Sequence, residues 1–199
     1  MLISHTHKFI FIKTKKTAGS SIEKILLDKL DNNIVFGGMP FENIDPINVR
    51  ECEHSGYQFI SKNFPTEWKT YYKFCVERNP WDKVVSRYHW YKKELPKKAG
   101  NTFEEFVLGR KQHFFRNDWS LYAKQSPLVD NVIRYENLNE EFKKVCDIIG
   151  IDYQNELNVV KLKSKYRKEN SYRQMYNDET KQVVYNAYKQ TIDYFDYKF

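Results

Sequence analysis

The chain has 199 residues, 41% apolar and 17% aromatic, which is enough for one sizeable core; it excludes a disordered chain and leaves little room for a second domain. Its apolar runs fall far short of the roughly 20 residues of a membrane span, and none has the length and cleavage site of a secretory signal, so a cytoplasmic protein is expected. A net charge of +7 asks for an anionic partner, but the lysines are scattered, with no basic tail or block, which speaks against nucleic acid.

Phe9–Lys13 reads as a buried strand, and Ser20–Leu30 as a helix with Ile22, Ile25, Leu26 and Leu30 on one face. His5 and His7, near the start, are expected to face solvent. Asn33–Phe36 is a second strand, ended by Gly37-Gly38, and the chain from there to about Gly56 reads as loop. Tyr71–Val76 is a third strand. Asn79 as N-cap, Pro80 at the first helical position and Asp82 in the first turn start a helix running to about Lys93. A lysine-rich loop over Leu95–Thr102 precedes a short helix at Phe103–Leu108. Asp118–Gln125 is a further helix, Asn131–Tyr135 a strand, and Leu138–Ile149 a helix stopped by Gly150. Lys161–Lys168 is a basic loop. Asp178 caps a last helix to about Tyr194, with Val183, Val184, Ala187 and Tyr188 inward. Strands alternating with helices predict an α/β fold, a central mainly parallel sheet flanked by helices in one domain over residues 1–199. The cysteines Cys52, Cys75 and Cys146 have no metal-binding spacing, and the last two read as core residues in a reducing compartment.

Where the first strand meets its helix, Lys15-Lys16 is followed by Thr17-Ala18-Gly19-Ser20-Ser21. A helix N-terminus offers unpaired N–H groups and partial positive charge, so this junction suits a phosphate-like anion. Gly19 allows close backbone approach, Thr17, Ser20 and Ser21 add hydroxyls, and Lys16 adds a mobile cation. In the nucleoside-triphosphate loop GxxxxGK[ST] the lysine follows the second glycine; here Lys16 precedes Gly19 and the earlier glycine is missing. Ordinary turn lysines and a plain helix cap are the competing account of these residues.

A second segment, Phe74 to Trp90, places Arg78 at a strand end and Ser86 two turns into the next helix. A forked guanidinium and a hydroxyl so placed suit a second phosphate, while Trp81, Val84, Val85 and Tyr88 pack the helix's inner face. Together the two segments resemble the sulfotransferases that use 3′-phosphoadenosine 5′-phosphosulfate, the carbohydrate-type branch above all. The signature PKTAGTS is met by residues Lys15 to Ser21, with Lys15 in place of proline. The signature VRNPWDRxVSxY is met by Glu77 to Tyr88, with Glu77 in place of an apolar residue. The stretches VIRYENLNEEFKKVCDIIGI and YRQMYNDETKQVV…YFDYKF also look like the family, so the resemblance spans nearly the whole chain.

The resemblance implies a nucleotide-binding sulfotransferase fold of P-loop type. The first loop, Lys16 through Ser21, would grip the 5′-phosphosulfate, and Arg78 and Ser86 the 3′-phosphate. The sulfuryl group would pass in line to an acceptor hydroxyl on a glycan or glycolipid, leaving adenosine 3′,5′-bisphosphate. Lys16 would stabilise the bridging oxygen. No metal is expected, because a sulfuryl group carries less charge than a terminal phosphoryl. His54 is the candidate base, as imidazole titrates near neutrality; Glu51 and Glu53 are fallbacks, and His89 reads as packing. Arg167, in the basic loop, is a candidate to close over the nucleotide. Trp119 and Gln125 are placed near the acceptor, and Glu136 reads as structural. Two rivals remain, a magnesium- and ATP-dependent phosphotransferase of related fold and a basic, aromatic-rich nucleic-acid-binding protein. A degenerate member that binds without catalysing is a third.

Overall fold

Phe9–Ile12 is apolar at every position, the pattern of a strand covered on both faces. In the computed structural model it is β2, after β1 at Leu2–Ser4, and all seven of these residues are buried. The structure describes residues 1–37, 39–40, 54–109, 117–158 and 171–199. They fall into two compact units, Met1–Glu77 with Asp118–Leu162, and Arg78–Asn117 with Lys163–Phe199.

The first unit holds the sheet. Helix α1 (Gly19–Leu27) leads to β3 (Ile34–Phe36) and β4 (Met39–Pro40). Helices α2 (Tyr57–Asn63) and α3 (Pro65–Thr70) precede β5 (Tyr72–Glu77). After the return to this unit come α7 (Trp119–Tyr122), β6 (Asn131–Arg134) and α8 (Leu138–Ile149). The strand order is β4-β3-β1-β2-β5-β6. The expected α/β arrangement is present. Its parallel part is β2, β5 and β6, with Ile12 opposite Cys75 and Val76 opposite Ile133. β1, β3 and β4 extend it antiparallel. β1 has to run antiparallel to β2, because the four residues His5–Lys8 between them are too few for a crossover.

Alternation along the strands sends Phe9, Phe11, Phe74, Val76 and Ile133 to one face. There they pack with Ile22, Ile25 and Leu26 of α1 and Phe142, Val145, Cys146 and Ile149 of α8. Cys75 and Cys146 are buried free thiols, as the sequence suggested, and burial pushes the Cys146 thiol up to about 12; Cys52 lies outside the described residues. Gly150 stops α8 at φ 70, a left-handed conformation.

The second unit consists of α4 (Pro80–Glu94), α5 (Pro96–Ala99), α6 (Phe103–Leu108), a 3-10 turn at Tyr172–Met175 and α9 (Asp178–Phe195). Aromatic rings build its interior: Tyr88 packs on Phe103 and Phe106, and Phe103 edge-on against Tyr176. Among the described residues no helix is long and apolar enough to cross a membrane.

Several expectations are corrected. His5 and His7 are half-buried rather than solvated, the first hydrogen-bonded to the Tyr71 hydroxyl and the second to the Ile149 carbonyl. The helix expected over Asp118–Gln125 is a single turn, and a short helix lies in the Leu95–Thr102 loop. Helix α1 ends at Leu27, and Leu30 still packs on the core from beyond it. Helices α2 and α3 were unexpected, although Pro65 at the first turn of α3 is a readable start signal. Ala187 is exposed while Val184 and Tyr188 are buried.

The cap of α9 is Asn177, not Asp178. Its side chain accepts from the Thr180 N–H at 2.8 Å and the Thr180 hydroxyl accepts from the Asn177 N–H at 3.0 Å, a reciprocal box. Asn177→Ala should therefore lower stability by about 1 kcal/mol, and Asp178→Ala by far less, in urea unfolding. Equal losses would put the cap elsewhere.

Candidate functional site

β2 and β5 run parallel, and loops at the carboxyl ends of such strands are where α/β sheets place ligands. The loop Lys13–Ala18 leaves β2 at that end. Thr14 donates its hydroxyl to the Val76 carbonyl near the end of β5, and Thr17 donates to the Thr14 carbonyl at 3.1 Å. Lys16 and Ala18 both take left-handed conformations, φ 61 and φ 62. Turns of this kind aim successive amides into one concavity, a natural anion cradle. They lead into α1, whose N-cap position, Ala18, gives no side-chain cap and whose first turn holds no acidic residue. The N-terminal end of such a helix favours negative charge. Lys16 and Ser20 are half-buried beside it.

One expected role changes, and a second residue gains a further constraint. Thr17 is fully buried and its hydroxyl is engaged with Thr14, so it shapes the loop instead of facing an anion. Gly19 is required by Lys13: a Cβ at Gly19 would meet Lys13 Cγ at 2.8 Å.

Lys13 had no signal of its own in the sequence. Its stem lies over Gly19, and its buried ammonium pairs with Glu23 on α1. Its carbonyl accepts from Nδ1 of His54 at 2.8 Å. A carbonyl can only accept, so Nδ1 carries the ring proton and the lone pair of the neutral ring sits on Nε2. The candidate base is therefore held at the end of β2, next to the loop. Glu51, Glu53 and Arg167 lie outside the described residues.

In the second unit, Asn79 caps α4 by accepting from the Trp81 N–H at 3.1 Å, with Pro80 at the first position as expected. Trp81, Val84, Val85 and Tyr88 are buried along the inner face. Arg78 donates through Nε and Nη2 to one oxygen of Asp82, at 2.8 and 2.6 Å. Both are largely buried, so this pair fixes the plane of the guanidinium from one side. Ser86 is half-buried two turns along α4, and His89 packs against Tyr88. Trp119, expected near an acceptor, is instead buried with its indole N–H on the Lys124 carbonyl at 2.6 Å, while Gln125 is exposed.

The model of the sulfotransferase family matches residues 1–198. The chain belongs to the sulfotransferase family. Sulfuryl transfer is thus its chemistry. This sulfotransferase is also similar to an uncharacterized protein of Archaeoglobus fulgidus, 38% identical over 92 residues, which cover 41% of this chain and 69% of that protein. Among solved structures, mouse sulfotransferase SULT7A1 complexed with PAP matches with a TM-score of 0.57 at 12% identity, over 96% of this chain and 86% of the mouse chain. At that identity the likeness concerns the fold.

Breaking the Lys13–Glu23 pair takes the opposite charge away from a buried ammonium, so Glu23→Leu alone should cost the sulfotransferase about 3–5 kcal/mol in urea unfolding. Lys13→Met added to it should recover most of that loss. A double variant no more stable than Glu23→Leu would show that the pair is not what holds α1 to the strand end.

Proposed function

We propose that this sulfotransferase draws its sulfuryl group from 3′-phosphoadenosine 5′-phosphosulfate and transfers it to a hydroxyl on a carbohydrate or glycolipid. The observation that carries the reading is the loop after β2, with two left-handed non-glycine residues opening onto a helix whose N-cap residue, Ala18, supplies no side-chain bond. In this reading the backbone from Lys16 to Ser21, with Ser20 and Ser21 hydroxyls, takes the 5′-phosphosulfate. Arg78, oriented by Asp82, and Ser86 take the 3′-phosphate. Arg167 closes over the nucleotide. The complex of the mouse structure with PAP supports the choice of donor. The family match over nearly the whole chain supports one sulfotransferase domain spanning both units.

The acceptor oxygen attacks sulfur as the bond from sulfur to the bridging oxygen breaks. The electron pair of that bond stays on the 5′-phosphate, and the product is adenosine 3′,5′-bisphosphate. Lys16 and the first amides of α1 stabilise the charge gathering there. Nε2 of His54 takes the acceptor proton, its ring held by the Nδ1–H bond to the Lys13 carbonyl. A transferred sulfuryl group is less charged than a phosphoryl, and no metal ion has a part in the step. The branch of the family that the motifs resemble supports a sugar hydroxyl as acceptor.

Thermal unfolding with adenosine 3′,5′-bisphosphate, ADP and magnesium-ATP tests the donor. At 100 times its dissociation constant a ligand adds about 2.7 kcal/mol, so the bisphosphate should raise Tm visibly and ADP should not. A rise with magnesium-ATP alone would replace the reading with a phosphotransferase. With labelled phosphosulfate donor and a panel of desulfated glycans and glycolipids, Lys16→Ala should lower transfer about 10²–10³-fold. Transfer at the wild-type rate would remove Lys16 from the mechanism.

A further inference from the structure

The loop after β2 does not hold its shape alone. Asp118, 1% exposed, accepts the backbone N–H of Lys15 on its Oδ2 at 2.8 Å. Four residues on, the Tyr122 hydroxyl donates to Oε2 of Glu77, at the end of β5, at 2.9 Å. Burial first, and the Glu77 carboxylate second, hold the Tyr122 phenol well above its ordinary pKa, so it stays a donor. Between these two residues, Leu121 lies against the segment that carries His54: a Cβ on Gly56 would meet the Leu121 Cα at 2.7 Å and its carbonyl oxygen at 2.8 Å. One short segment therefore touches the anion loop, the end of β5 and the neighbourhood of the candidate base. The segment is stiffened in turn, the Leu128 N–H bonding the Tyr122 carbonyl at 2.8 Å.

A buried carboxylate beside an anion cradle is unfavourable electrostatically, so it needs a compensating purpose. Its bond falls on the residue preceding Lys16, where this loop first turns left-handed. A charge-assisted bond at that point is among the strongest a backbone amide makes. We propose that Asp118 is a positioning residue of the sulfuryl-donor loop: by accepting the Lys15 N–H it fixes the turn from which Lys16 and the amides of α1 meet the 5′ group of the donor. The proposal rests on the reading of the loop as the 5′-phosphosulfate site. Glu77 and Tyr122 hold the helical turn that carries Asp118, which gives a use to the glutamate standing where the family motif has an apolar residue.

The test is titration calorimetry with two probes, adenosine 3′,5′-bisphosphate and adenosine 3′-monophosphate, on wild type, Asp118→Ala and Asp118→Asn. Asparagine keeps a carbonyl acceptor and removes the charge. Asp118→Ala should weaken the bisphosphate at least tenfold and leave the 3′-monophosphate within twofold, because only the former engages the loop. Asp118→Asn should bind the bisphosphate within threefold of wild type, on the tighter side, since a negative charge near an anion is gone. The Lys15 amide proton should shift upfield in Asp118→Ala and far less in Asp118→Asn. Equal weakening of both probes in Asp118→Ala would reduce Asp118 to general stability, and Asp118→Asn as weak as Asp118→Ala would dismiss the hydrogen bond as the cause. Wild type that fails to bind the bisphosphate would instead overturn the donor reading itself. Should Asp118→Ala not fold, Asp118→Asn and Asp118→Ser decide, with serine expected to lie between wild type and a tenfold loss and a wild-type affinity for serine counting against the proposal.

Discussion

The rest of the structure depends on how the loop between β2 and α1 is held. Lys16 and Ala18 sit at φ 61 and φ 62, conformations that cost a residue with a Cβ about 1–2 kcal/mol each. Such strain persists where surrounding bonds over-determine the backbone, and here they come from every side. Thr14 is tied to β5, Thr17 to Thr14, Lys15 to Asp118, and the carbonyl of Lys13 to His54. The strained turn leads into the N-terminus of α1, whose N-cap residue Ala18 supplies no side-chain bond, and negative charge is favoured at such an end.

Charge is handled differently at the two motifs. Just before the first, the buried Lys13 pairs with Glu23 and packs over Gly19, while Lys16 is half-buried. Pairing Lys13 inside the fold sets it apart from the more exposed Lys16 three residues away. In the second motif a single carboxylate, Asp82, takes two donors of Arg78 onto one oxygen. The plane of the fork is thereby fixed. Both devices place a fixed carboxylate behind a cation, and both spend burial on geometry more than on net stability.

Much of this was legible because it is local. Phe9–Ile12 is a strand by its unbroken apolar run, α4 starts where Asn79-Pro80 says it should, α6 and α8 have the limits their patterns and flanks imply, and Gly150 stops α8. The two motifs that led to the family are also contiguous stretches of chain. What could not be read depends on partners distant in sequence. Leu2–Ser4 has little periodic signal, yet it is a buried strand between β2 and β3, because only pairing on both sides satisfies its backbone. Asp118 looked like the start of a longer helix; its carboxylate is instead 103 residues from the amide it holds.

The sequence by itself determined the class of fold, the family, and the residue types at the strand-to-helix junction, since propensity, capping and short motifs act over a few neighbouring residues. Tertiary structure alone decided which of those residues turn inward and which distant partners hold them. Thr17 and Lys13 turned inward, His54 was given its proton on Nδ1, and Asp118 and Tyr122 were brought to the loop and to Glu77. The physical reason is desolvation. A buried hydroxyl, ammonium or carboxylate has to find its partner wherever the packed chain supplies one, and no local pattern records where that is.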